Sequence, residues 1–214
     1  DHKNPHLWTV MDGMIVGTSE AGKMSNLSTQ AQYGNFELTF EYNADAKVNS
    51  GVFLRVSDLN DEVHTGLEIQ ILDTYGKGLP LDKADSGALY DMIAPSTNPL
   101  HPAGDWNRMR LRCEGSRIEV ELNGVLVVEA DLDLFDTPGM NPDGSSNKFK
   151  YAWKSMPRMG HIGLQTHAGM GGGVRFKDPL SQPSGANTIA CWEPSAVDVT
   201  RRRFSFFHRP IPGF

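Results

Sequence analysis

The chain has 214 residues, enough for one full domain with a large core, and its formal charge of −6 argues against a general pull toward nucleic acid or anionic membrane. No run of about 18 apolar residues is present to span a bilayer as a helix. Its 22 glycines and 13 prolines suit many short strands joined by tight turns.

In chain order, His6–Val10 reads as a first strand. The Asp12-Gly13 pair is a two-residue hairpin signal, and residues 15–18 are the return strand. The Gly-, Ser- and Asn-rich stretch from Ser19 to Thr29 reads as loop. Phe36–Tyr42 alternates cleanly, with Phe36, Leu38, Phe40 and Tyr42 on a core face and Glu37, Thr39 and Glu41 outside. Residues 49–55 and 64–73 form two further strands around a polar loop. The second places Leu67, Ile69 and Ile71 inward and Glu68 and Gln70 outward, with His64 joining them if the strand starts early. Arg55, at the end of the first arm, is expected near Glu68.

Residues 74–84 read as loop, 87–91 as a short or edge strand, and the Pro-containing stretch 94–105 as loop. Trp106–Cys113 resumes alternation, and Ile118–Leu122 pairs with Val125–Val128 across Asn123-Gly124. Residues 131–158 make a long crossing, and a long loop inside a compact domain is usually functional or mobile. His161–His167 is a further strand with Gln165 and both histidines on one face, and 174–176 closes the sheet. No helix of ten residues or more is expected. Repeated strand–turn–strand units with period-two patterning call for two packed antiparallel sheets or a closed barrel. The division expected is a domain over 1–178 and an atypical extension over 179–214, whose basic and aromatic cluster reads as a segment laid across the domain or a neighbour. The chain begins at Asp1 with neither an initiator Met nor a secretory signal pattern, as a processed or trimmed chain does. Cys113 reads as a buried free thiol, with a disulfide to Cys191 left open.

No nucleophile elbow, phosphate-binding glycine loop or zinc-type spacing is present. Alternating oxygens at Asp58, Asn60 and Glu62 make calcium chemically feasible. The polar set that remains is Arg55, His64, Glu68, Gln70, His101, Gln165 and His167, with Trp106 and Tyr90 as sugar platforms. Carboxylates and amides fix hydroxyls, aromatic faces cover the C–H side of a sugar ring, and imidazoles serve general acid–base work.

An ordered set of motifs carries a resemblance. It runs Trp8-Thr9-Val10 with Asp12-Gly13, then residues 33–38, Asn49-Ser50-Gly51-Val52-Phe53-Leu54-Arg55 and residues 67–73. Gly87-Ala88-Leu89-Tyr90, Trp106-Asn107, Leu122-Asn123-Gly124 and residues 160–165 follow. Over roughly residues 7 to 178 the chain resembles the 3-keto-disaccharide hydrolase family. The resemblance implies an all-β, two-sheet jelly-roll sandwich of the concanavalin A-like lectin and glucanase type. An opening strand usual in the family is absent here, and the close reads Phe176-Lys177-Asp178.

The activity so implied is cleavage of 3-keto-glucosides or 3-keto-disaccharides. A C3 ketone acidifies the C2 proton; its removal lets the enediolate expel the C1 leaving group, and water then adds or does not. On this reading His64 or His167 is the base, Arg55 and Gln165 are donors to the carbonyl oxygen, and Glu68 is acid or metal ligand. Gln70, Gln165, Trp106, Tyr90, Asn49 and His101 bind substrate. The cofactor is left open between none and a divalent metal ion. The partner expected is a small 3-keto-glycoside, with no nucleic acid and no membrane insertion; the resemblance also suggests a periplasmic or secreted protein. The alternative is a non-catalytic carbohydrate-binding module of lectin-like fold. An ordinary retaining glucanase is disfavoured, because Gln70 stands where that chemistry wants a second carboxylate.

Overall fold

The computed structural model describes residues 4–168, 172–177 and 198, with the backbone alone of residues 188–189 and 203–204. Two sheets pack face to face. The larger runs in the order β1 (Trp8–Met11), β2 (Met14–Thr18), β11 (Gly173–Lys177), β4 (Phe36–Ala44), β7 (Trp106–Glu114), β8 (Arg117–Leu122), β9 (Val125–Asp131). Beside β4, the short β12 (Thr188–Ile189) pairs in parallel. The smaller sheet runs β13 (Arg203–Phe204), β3 (Ser25–Thr29), β10 (His161–Thr166), β5 (Asn49–Val56), β6 (Leu67–Leu72). Apart from β12 and β13 every pairing is antiparallel, giving an all-β jelly-roll sandwich.

The core lies between the sheets and follows the period-two pattern of the strands. Leu38, Phe40, Tyr42, Met109, Leu111 and Val120 meet Val52, Leu54, Leu67, Ile69, Ile71, Ile162 and Leu164 from the facing sheet. Phe40 lies with its ring centroid 6.0 Å from that of Phe176 and 6.2 Å from that of Tyr42, in tilted contacts typical of aromatic cores. Each such side chain removed from water contributes about 1.5–3 kcal/mol. Cys113 faces this core as a free thiol, pushed up to about 12 by burial. Its suggested partner Cys191 lies outside the described residues, as does all of the 201–210 cluster except the backbone of residues 203–204.

The two sheets differ on their outer faces. Along β4 burial alternates, so the larger sheet keeps a solvated side carrying ion pairs such as Arg110 with Glu37 and Glu121. The central smaller-sheet strands are buried on both faces instead. The segments that leave β5, β6 and β9 border this second face.

Three expectations are corrected. Ser25–Thr29 is strand and not loop: only Leu27 joins the core cluster, so the run lacks the apolar alternation that marks a strand in sequence. His64 lies in a single helical turn, α1 (Glu62–Thr65), and not at the start of β6. Residues 87–91 form no strand; Leu89 makes an isolated bridge to Ile69 on the β6 edge.

Arg55 departs from regular pairing. Its φ is 54°, at an irregularity in the β5–β10 register, and its side chain is buried. Nε donates to Gly34 O at 3.0 Å and Nη1 to Gly115 O at 2.7 Å. Nη2 is 3.5 Å from Asn35 Oδ1, which also accepts from the Gly115 amide at 2.9 Å. The guanidinium therefore ties the β3–β4 and β7–β8 connections together. Gly160 lies against this backbone so closely that a Cβ would overlap Arg55 and Val56.

Candidate functional site

Cross-strand register builds the outer face of the smaller sheet from two rows. Asn26, Gln165, Gly51 and Gln70 lie abreast on β3, β10, β5 and β6; Ser28, Gly163, Phe53 and Glu68 form the next row. Two glycines in the middle strands leave a low floor between the polar side chains of the flanking strands. At Gly51 this is a spatial requirement, since a Cβ would lie 3.0 Å from Glu68 Oε1 and 3.2 Å from Glu68 Cγ.

Glu68 ends its row on the edge strand β6 and is 7% exposed. Burial is the largest influence on its carboxyl and raises it above the ordinary carboxylate range; the charges of Lys148 and His167 and hydrogen bonds from Lys148 and Gln165 pull the other way. Lys148 Nζ lies 3.6 Å from Glu68 Oε2 and 4.2 Å from the centroid of the Tyr90 ring. Its backbone amide donates to Asp91 Oδ2 at 2.6 Å, which fixes the crossing loop over the sheet edge. The Tyr90 amide donates to Glu68 O at 2.9 Å, so the ring sits beside β6. Burial, then the charges of Glu68 and Asp91, raise its phenol.

At the other end of the strands, the His167 amide donates to Asn49 O at 3.2 Å. His167 Nδ1 lies 3.0 Å from Ala168 O. A carbonyl only accepts, so in this contact Nδ1 is the donor.

Buried polar groups are nearly always paired. On and around this face they are not: among the described residues, Asn26 Oδ1, Asn49 Oδ1, His64 Nδ1, Gln70 Oε1 and Gln165 Oε1 are buried with no hydrogen-bond partner. Leaving such atoms unsatisfied costs about 1–3 kcal/mol each, which a hydroxylated ligand relieves.

The structure thus brings Glu68, Gln70, Gln165, Tyr90, Asn49 and His167 to one face, while His64 stands on the α1 turn with its Nδ1 buried and unpartnered. It does not bring Arg55, Trp106 or His101 there. Arg55 is committed to the carbonyls described above. Trp106 stands on β7 of the other sheet beneath Lys177 Nζ, 3.8 Å from its ring centroid, and the exposed His101 contacts Trp106 O through Nδ1 at 2.8 Å. The Asp58–Glu62 loop does not converge as an ion cage: Asn60 Nδ2 donates to Asp58 Oδ1 at 3.1 Å and Glu62 turns away to β3. Among the described residues no three His, Cys, Asp or Glu side chains stand together as a metal group. Lys148, Asn26, Ser28 and Glu62 are additions from the structure. Lys148 sits in the long 131–158 crossing, whose length was its only signal.

Two antiparallel sheets packed as a jelly-roll sandwich place the chain in the concanavalin-like fold class. Residues 1–179 match the 3-keto-alpha-glucoside-1,2-lyase-like domain, and the chain belongs to that family of glycosidases and lyases. A glycosyl hydrolase, provisionally assigned as such, from Parabacteroides distasonis ATCC 8503 is 32% identical with a TM-score of 0.72, the match covering 81% of this chain and 88% of that one. The 3-keto-disaccharide hydrolase of Bacteroides thetaiotaomicron is 26% identical over an alignment of 131 residues, with the match covering 50% of this chain and 44% of that protein. The match therefore spans less than half of that relative. The non-specific endo-beta-1,3(4)-glucanase SCLam shares the fold alone, at 12% identity and a TM-score of 0.51 over 81% of this chain and 72% of its own. Among the described residues no helix is long and apolar enough to cross a membrane.

Proposed function

We propose that this chain cleaves 3-keto-glucosides by removing the C2 proton and expelling the C1 substituent. The observation that carries the reading is Glu68, a buried carboxyl raised by desolvation, set beside the Lys148 ammonium on a face of unpartnered amide oxygens. His167 Nε2 takes the C2 proton. The electron pair moves toward the C3 oxygen, where Lys148 and the side-chain amides of Gln165 and Gln70 meet the growing negative charge. The pair then forms the C1–C2 double bond as the C1–O bond breaks, and protonated Glu68 delivers its proton to the departing oxygen. Water adding back at C1 gives net hydrolysis; its failure to add gives the unsaturated ketone. The amide at Gln70 supports this route over direct retaining hydrolysis, which needs a second carboxylate close to the first. The chemistry is assigned to residues 1–178, with 179–214 an extension.

The test is turnover of a 3-keto-disaccharide beside its unoxidised parent. Turnover of the keto form alone is expected, with losses of about 10²–10⁴-fold in Glu68→Gln and His167→Ala. Equal cleavage of the parent, or undiminished rates in both variants, overturns the mechanism. Binding of both sugars with no product marks a binding module instead.

A further inference from the structure

The β5–β6 connection does not stand away from the sheet. The Gly66 amide donates to Glu62 O at 2.9 Å, closing α1, and a Cβ on Gly66 would lie 3.1 Å from Phe53 Cδ1. Since Phe53 belongs to the outer row and is 1% exposed, the turn lies over that row. From it the Glu62 side chain reaches to β3, where Ser28 Oγ donates to Oε1 at 3.0 Å and Asn26 Nδ2 donates to Oε2. Ser28 and Asn26 belong to the two separate rows, so one carboxylate spans both at the β3 side. Asn26 keeps its Oδ1 buried and unpartnered there, and His64 Nδ1, on the same turn as Glu62, is likewise buried and unpartnered.

Resting on the mechanism above, we infer that Glu62 is a specificity-determining residue: it closes the β3 end of the trough and restricts the site to a terminal 3-keto-glucose with a free 4-hydroxyl. In a pyranose ring C4 lies across from C1. With Glu68 on β6 at the C1 oxygen, the 4-hydroxyl points toward β3, three strands away. Strand spacing puts the two backbones roughly 14 Å apart before the Glu62 and Glu68 side chains narrow the gap. That leaves room for one ring. The unpartnered Asn26 Oδ1 accepts the 4-hydroxyl, and a substituent on that oxygen meets the Glu62 carboxylate held by two donors. At the opposite end, past Lys148 and the Tyr90 ring, lies a depression of about 440 Å³ lined in part by Tyr90 and Asp91, where the departing group is accommodated.

The test compares equilibrium binding of methyl 3-keto-glucoside and its 4-O-methyl derivative to the full chain, with hydrogen exchange over residues 57–66. Wild type is expected to bind the 4-O-methyl derivative about tenfold or more weakly. Glu62→Ala is expected to raise exchange over 57–66 and shrink that gap to about threefold or less. Ser28→Ala, which leaves the Asn26 bond in place, is expected to shrink it partway and serves if Glu62→Ala fails to fold. Equal binding of both sugars by wild type, binding of neither, or a gap that persists in a folded variant with raised exchange overturns the inference, as does unchanged exchange in Glu62→Ala. A binding gap without turnover leaves the inference standing and removes the elimination mechanism. Turnover without a gap does the reverse.

Discussion

Lys148 Nζ stands 3.6 Å from Glu68 Oε2, and the two residues come from segments with no pairing signal in common: an edge strand and a long crossing loop. The ammonium partly offsets the burial that raises the carboxyl. Removing it in Lys148→Met should therefore move the Glu68 ionisation to still higher pH, as followed by ¹³C NMR of labelled glutamate. It should also lower kcat by about 10²-fold or more, because the donor aimed at the C3 oxygen is gone. A Glu68 ionisation that stays put or falls in Lys148→Met contradicts the pairing.

The same raised carboxyl makes a stability prediction with a definite sign. In the folded chain Glu68 holds its proton to higher pH than in the unfolded chain, so the native state binds more protons between the two values. Stability from this group is present below the unfolded value and is lost as pH rises through the folded one. Glu68→Gln should then match wild type in Tm at low pH and exceed it at neutral pH, while losing activity. A neutral-pH Tm below wild type, measured by calorimetry, contradicts desolvation as the dominant influence.

Gly51→Ala probes the floor of the site. The added methyl comes 3.0 Å from Glu68 Oε1 and 3.2 Å from its Cγ, and 3.3 Å from the backbone Ile69 O, so the carboxyl is displaced and the β6 backbone gives by a few tenths of an ångström. Stability should change by about 1 kcal/mol or less, with kcat reduced about tenfold or more through displacement of the acid. Gly160→Ala is the contrast, because its methyl overlaps the backbone of Arg55 and Val56. That substitution should cost about 4 kcal/mol or more in denaturant unfolding. Equal behaviour of the two variants would sink the distinction.

How far the site was legible follows from how each residue is held. Glu68 and Gln70 alternate with Leu67, Ile69 and Ile71, so period two placed them on one outer face. Gln165 followed from the same rule on β10. Asn26 and Ser28 did not, since β3 has one core-cluster residue and its order comes from pairing with β10, a contact far away in the chain. Lys148 is oriented by the hydrogen bond its backbone amide donates to Asp91 Oδ2 and by the Tyr90 ring, both tertiary contacts without a period. Trp106 and His101 looked like site residues because their types suit sugars, but type does not say which of two sheets a strand joins. Glu62 looked like an ion ligand in a row of alternating oxygens until the helical turn pointed it at β3.

Arg55 is the case where residue type and position both misdirected. Its expected closeness to Glu68 assumed regular pairing to the end of β5, whereas Phe53 is the residue opposite Glu68 and the chain turns to a φ of 54° two residues later. The buried guanidinium then serves the Gly34 and Gly115 carbonyls. Arg55→Met keeps much of the apolar stem but leaves those acceptors unpaired, at about 1–3 kcal/mol each. Unfolding in urea should show a loss of about 3–5 kcal/mol, with KM for the keto-sugar close to wild type in the folded fraction. A variant of wild-type stability whose KM or kcat collapses would place Arg55 back at the reacting sugar and overturn its structural role.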